Sequence, residues 1–299
     1  MTLQANIAAS TGVTKSGMNQ ELEKTIMAAG DLPAMPVVAT KVMQLVEDDK
    51  ATAAELAKIV ASDPAVAARI MKISNSPLYG CQRQNQTLPG AIMLMGFNAL
   101  KSLVVAAYLR DVFKPVGLTE KMLWEHSFGS ALAARIIASD IRVVNPEEAF
   151  LAGLMHDIGK LIMLHQDPQK FHLVIERYYN EGVRFEDAEK LVYPFTHAEL
   201  GGCVLKKWNF PEVLVAAVSN HHTLSSPDDE ERNQRNLTAV VCLADLFCLK
   251  LGIGAREPRS ELDLAETPAS RLLKLDSERL VFLLENFAGV YERDKNYFN

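Results

Sequence analysis

Helix-start signals recur along this chain, and no segment alternates apolar and polar residues with the two-residue period of a half-buried strand. Thr52 precedes an apolar run with Glu55 three residues on, a pair that can satisfy two orphan backbone donors at a helix start. Asp63-Pro64 and Asn145-Pro146 place an N-cap side chain before a proline at the first helical position, where the missing N–H costs nothing. Val66, Ala67, Ile70 and Ile73 then fall at helical spacing, and the helix is expected to stop at Asn75-Ser76-Pro77. One long helix is predicted from about Pro89 to Val112, and another from about Thr119, carrying Trp124 and His126. A single helix opened by Asn145 is expected to contain Gly153, His156, Asp157 and Lys160. Pro194 and Trp208-Asn209-Phe210-Pro211 mark further breaks. SSPDDEERNQRN reads as a solvated acidic loop, and the chain closes with two amphipathic helices. The expected fold class is all-α.

Composition narrows the function. The 299 residues are 48 % hydrophobic and 23 % charged, with a net charge of −6 and no run of Lys or Arg. A nucleic-acid binder normally carries a basic stripe, so DNA or RNA is not the expected main partner. The four cysteines, Cys81, Cys203, Cys242 and Cys248, form no CxxC pair and read as buried thiols of a reducing compartment. The N-terminus lacks a charged-then-apolar signal, and AIMLMGFNALKSLVVAAYL is broken by Asn98 and Lys101. A cytoplasmic protein with no membrane partner is expected. Met43, Met71, Met93, Met95, Met155 and Met163 read as core filler.

Five of the seven histidines lie in short strings with acids or a second histidine: His126 in WEHS, His156-Asp157 in GLMHDIGK, His197 in FTHAELGG, and His221-His222 in SNHHT. Asp245 follows in VCLADLF. Imidazole is the commonest metal ligand, and imidazole with carboxylate and no thiolate suits Fe, Mn, Zn or Co. On a helix, adjacent His156 and Asp157 project about 100° apart, so one ligand over their shared edge can meet both. Lys160 lies on that edge, placed to hold the carboxylate or to neutralise a phosphate. Gly153, one turn earlier, leaves room for a helix or ligand to approach. His165 and His172 lie outside any motif.

A His, then His-Asp, then a distant Asp resembles the signature of the HD superfamily of metal-dependent phosphohydrolases, with His126, His156-Asp157 and Asp245 in those positions. His197 and His221-His222 look like the added ligands of the HD-GYP branch, which holds two or more metals and hydrolyses cyclic di-GMP. This chain reads HHTLSSPDDEE in place of the GYP string, and Met122 stands where some members carry a metal-binding Glu. Both departures count against that reaction. LPAMPVVATKVMQLVEDD, ELAKIVASDPAVAARIMKISNSPLYG, GLMHDIGKLIML and HAELGGCVLKKWNFPEVLVAAVSNHH, in that order, are similar to an HDOD domain over about residues 25–250.

The resemblance implies a multi-helix HD-like bundle with an N-terminal helical subdomain. Its expected parts are a flexible leader over 1–24, the N-terminal helical part over 25–115, the ligand-bearing part over 116–250, and a helical extension over 251–299. It also implies a bacterial signalling or regulatory module with a mono- or dinuclear divalent metal site, signalling proteins as partners, and a homo-oligomer left open. Two readings survive. In one, the metal is structural or senses a ligand. In the other, a phosphohydrolase acts on a nucleotide or cyclic nucleotide. Hydrolysis calls for clustered cations near the metal, and only Lys160, Lys206 and Lys207 stand near the motifs, which favours the module without turnover.

Overall fold

The computed structural model describes residues 35, 37–48, 50–79, 85–113, 117–224 and 231–298. The leader over 1–24, Cys81 and the acidic residues 225–230 lie outside them. The described residues form helices and no strand. In the N-terminal part these are α1 (Val37–Val46), α2 (Ala53–Ala61), α3 (Pro64–Ser74), a 3-10 turn (Pro77–Tyr79), α4 (Leu88–Met95) and α5 (Phe97–Phe113). Then come α6 (Leu118–Ile141), α7 (Pro146–Met155), α8 (Ile158–Gln166), α9 (Pro168–Glu181), α10 (Phe185–Val192), α11 (His197–Lys207), α12 (Glu212–Asn220) and α13 (Arg232–Leu251). Two more, α14 (Pro268–Leu272) and α15 (Ser277–Phe298), close the chain.

The caps act where the sequence places them. Thr52 and Glu55 form a reciprocal capping box at α2, and Asp63 and Asn145 accept from the first backbone amides of α3 and α7. Asn75 ends α3 by local bonding: its Nδ2 donates to Met71 O at 2.9 Å, and its Oδ1 accepts from Asn85 N at 2.7 Å.

Three expectations need correction. The helix over 89–112 is two helices, α4 and α5, bent by 113° at Gly96, whose φ of 85° a side chain would resist. The helix opened by Asn145 ends at Met155, and α8 starts afresh at Ile158, so His156-Asp157 occupies a junction. Arg232 to Asn236 belong to α13, not to the acidic loop. Among the methionines, Met155 and Met163 are buried and Met43 and Met95 pack against the core, but Met93 is 77 % exposed. Helix α4 is apolar all round, and Ala91 and Ile92 take its buried face. Cys248 is buried, while Cys203 and Cys242 are half-buried; all three are free thiols. No single described helix is long and apolar enough to cross a membrane.

The site is built on α6 and α7, which pack so closely that a Cβ at Gly153 would sit 2.7 Å from Ser130 O. The approaching element at Gly153 is therefore a helix. Helix α13 lies against α6 and α7, and α12 bridges α11 and α13. Helix α15 returns across α6 and α3, burying Leu283, Phe287 and Tyr291.

Candidate metal centre

Seven side chains from five elements converge: His126 from the middle of α6, His156 and Asp157 from the α7–α8 junction, His197 from the first turn of α11, His221 and His222 just past α12, and Asp245 from α13. Six of them are less than 9 % exposed, and His222 is half-buried. Local structure aims each one. Thr196 caps α11 with Glu199 in a capping box, which fixes the turn from which His197 projects. His156 and Asp157 meet the cluster from the turn between α7 and α8.

Hydrogen bonds to the far ring nitrogens fix the tautomers. His156 Nδ1 donates to Gly153 O and His221 Nδ1 to Val218 O, each at 2.7 Å. His126 Nδ1 donates to Ile253 O at 3.2 Å. Carbonyl oxygens only accept, so these Nδ1 atoms carry the hydrogen; the Nε2 atoms of His156 and His221 are left as inward lone pairs, while His126 Nε2 faces the Asp245 carboxylate at 2.9 Å. His197 Nδ1 is held by the buried Glu189 carboxylate at 2.8 and 2.9 Å, and Glu189 also accepts from the His197 backbone N–H at 3.0 Å. A histidine ligand held by a carboxylate or carbonyl on its other nitrogen is how proteins orient metal sites.

The inward atoms form two sets that share Asp157. One joins Asp157 with His197, His221 and His222; the other joins His126, His156 and Asp157; within each set the ligand atoms lie within 4.8 Å of one another. His197 Nε2 faces His221 Nε2 at 3.2 Å and His222 Nε2 at 3.1 Å. It also stands 3.1 Å from Asp157 Oδ1, yet off the line of a hydrogen bond, so that buried oxygen has no hydrogen-bond partner. His156 Nε2 is likewise buried and unbonded, 3.4 Å from Asp157 Oδ2. Asp245 stands outside both sets, with Oδ1 2.9 Å from His126 Nε2 and Oδ2 3.9 Å from His222 Nδ1. Bare buried nitrogens and a carboxylate oxygen pointing at a common space are costly without a cation. The donor set therefore fits a divalent metal ion.

The charges agree. Burial lowers His156, and burial with the neighbouring imidazoles lowers His221 and brings His222 to about 4, so these rings stay neutral and able to ligate. Burial would lower His197 too, but Glu189 overrides it and pushes that ring up to about 9. His126 is raised against burial by Asp245. Burial would raise the Asp157 carboxyl, yet His156 and Lys160 hold it well below the usual range. Each raised histidine has a carboxylate at Nε2 and an acceptor at Nδ1, an arrangement that calls for positive charge between them.

Lys160 Nζ donates to Asp157 Oδ2 at 2.7 Å, which makes it a carboxylate partner, and lies 4.5 Å from the Phe185 ring centroid. A cavity of about 380 Å³ opens over the cluster, with His126, Asp157, Lys160, His222 and Asp245 on its wall. Arg184, Arg256 and Arg259 line it too, and Lys206 and Lys207 do not; both stand exposed at the end of α11. The cation scarcity read from the sequence is thus corrected: fold, not chain proximity, gathers these arginines. Sequence reasoning also missed Glu189 and Glu186, whose Oε1 lies 3.4 Å from His222 Nδ1. Their three-residue spacing on α10 is the one local signal that they share a face. His165 and His172 are exposed and belong to neither ligand set nor the cavity wall.

Solved structures share this fold. An HDOD domain protein of unknown function from Geobacter sulfurreducens matches with a TM-score of 0.77 and 23 % identity, covering 94 % of this chain and 97 % of its own. A provisionally named metal-dependent phosphohydrolase from Shewanella amazonensis SB2B matches with a TM-score of 0.66 and 21 % identity, covering 95 % of this chain and 100 % of its own. At these identities the likeness establishes the fold alone. Among curated proteins, ribonuclease Y of Mycoplasma mycoides is 25 % identical over 170 residues, 55 % of this chain and 32 % of its own length. An uncharacterized Treponema pallidum protein is 19 % identical over 219 residues, 72 % of this chain and 42 % of its own length. The chain thus spans less than half of either curated relative. The HDOD domain itself matches residues 32–224, more than half of the chain, and the protein belongs to the HDOD family.

Proposed function

We propose that this chain is a signal-transduction module of the HDOD type in which a divalent-metal centre floors a cavity and holds a phosphorylated ligand. The observation that carries the reading is the convergence on Asp157 of the Nε2 atoms of His156, His197 and His221, each ring held from behind by a carbonyl or by Glu189. His126, His156 and Asp157 would hold one ion, with Asp245 beside them; Asp157, His197, His221 and His222 would hold a second. Fe, Mn, Zn and Co all suit such ligands. Lys160 keeps Asp157 ionised from the cavity wall. Occupancy of the cavity would be read by protein signalling partners.

Hydrolysis of the bound phosphoester is the second reading. It is favoured by the opening of the cluster onto a cavity with four cationic side chains. Fold-level kinship with proteins named as phosphohydrolase and ribonuclease raises it further. A divalent ion there supplies Lewis acidity toward a phosphoryl oxygen. The chain's own part is to orient His197 through Glu189, to keep Asp157 ionised through Lys160, and to exclude water with Phe171, Tyr178 and Phe185. The test is full-length protein loaded in turn with Mn, Fe, Zn and Co and mixed with a nucleotide and cyclic-nucleotide panel. The module reading expects metal-dependent binding with no sustained product. Multiple turnovers lost in Asp157→Ala would instead establish the hydrolase, and absence of metal-dependent binding would overturn both.

A further inference from the structure

The four cations of the cavity are not equivalent. Lys160 is neutralised by Asp157 at 2.7 Å, and Arg184 by Glu186 at 2.6 Å. Arg256 and Arg259 have no carboxylate partner among the described residues. Neutral aromatic groups hold them instead: the Arg256 guanidinium lies 4.1 Å from the Tyr179 ring centroid, and that of Arg259 lies 5.2 Å from Tyr178 while Nη2 donates to the Tyr178 hydroxyl at 2.7 Å. An aromatic face positions a guanidinium without cancelling its charge. The result is two oriented planar forks with uncompensated charge on one cavity wall, the geometry suited to bidentate anion binding.

These arginines stand on the loop that follows α13, beyond the stretch matched by the HDOD domain. The same loop orients the metal centre, because Ile253 O accepts from His126 Nδ1. Gly254, at φ 67°, brings the loop so close to α6 that a Cβ would collide with Met122 O and His126. One short segment therefore touches both a candidate metal ligand and the anion-binding wall.

We propose that Arg256 and Arg259 form a second anion subsite, so that the cavity takes an organic phosphate with two anionic groups, one at the metal floor and one on this arginine pair. Apolar side chains of the same cavity, such as Ile175, Leu246 and Leu249, accept the body of the ligand. The proposal rests on the reading of the floor as a metal centre. Its test measures bound metal first, in the Mn-loaded full-length chain, and then titrates inorganic phosphate, AMP, ADP and adenosine 3′,5′-bisphosphate by calorimetry.

The wild type should bind ADP or the bisphosphate at least about tenfold tighter than AMP, the worth of a charge-assisted contact. The Arg256→Gln/Arg259→Gln variant should bind all three nucleotides alike, with inorganic phosphate affinity and metal content unchanged. Arg256→Lys/Arg259→Lys, which keeps the charges and loses the forks, should recover part of the preference. Equal binding of AMP, ADP and the bisphosphate by metal-loaded wild type would overturn the subsite alone. So would a glutamine variant that weakens inorganic phosphate as much as the nucleotides. Absence of bound metal would instead overturn the floor.

Discussion

In the N-terminal helices, the capping side chains Thr52, Asp63 and Asn75 find partners in their own turn or the next loop: Thr52 with Glu55, Asp63 with the first amides of α3, Asn75 with Met71 and Asn85. Around Asp157 the opposite holds. Buried nitrogens and oxygens face one another, and His156 Nε2 and Asp157 Oδ1 have no hydrogen-bond partner. Both regions sit on equally apolar packing, with Leu56, Val60 and Ile70 closed over in one and Phe150, Leu161 and Leu200 in the other. The contrast teaches where stability and function part. A cap satisfied within its own turn serves the fold, whereas a buried cluster satisfied only by an added cation is held in place by the fold for another purpose.

If that division is right, substitutions on the two sides should give different readouts. The largest effect is expected from Asp157→Ala, which removes the carboxylate common to both ligand sets and should strip the metal, as elemental analysis of the purified variant would record. Next, Ile70→Ala empties a fully buried site in α3 and should cost about 2–5 kcal/mol in denaturant unfolding. Its metal content should stay at the wild-type level; a parallel loss of metal would break the comparison. Glu189→Gln leaves every proposed ligand in place but weakens the hold on His197, and should lower metal affinity roughly 10–100-fold in a chelator competition. Smallest is Thr52→Ala, which removes half of the capping box and should cost about 1 kcal/mol of stability with no change in metal.

What the sequence made legible was local. Caps such as Thr52, Asp63 and Asn145 announce helix starts because their chemistry is completed within three residues. The seven candidate ligands stand out because histidine is scarce and the strings carry their own acids. The break at Gly96 was hidden inside an apolar run, since glycine in a helical pattern signals a bend only when its φ is known. The helix stop at His156 carries no proline or cap signal; it follows from packing α7 and α8 around the cluster. Glu189, Arg256 and Arg259 were invisible for a different reason. Glu189 precedes His197 by a turn of chain, and the two arginines follow Asp245 around a loop whose path only the tertiary fold fixes. For the same reason Lys206 and Lys207 lie near the motifs in sequence and outside the cavity in space.

A histidine–aspartate cluster of this kind should hold metal in the purified protein. Elemental analysis of the full-length protein, purified without chelator or affinity-column metal, tests it most directly. At least one transition-metal ion per chain is expected, lost in the His156→Ala/Asp157→Ala variant. Folded wild-type protein that stays metal-free after incubation with Mn, Fe, Zn and Co would contradict it.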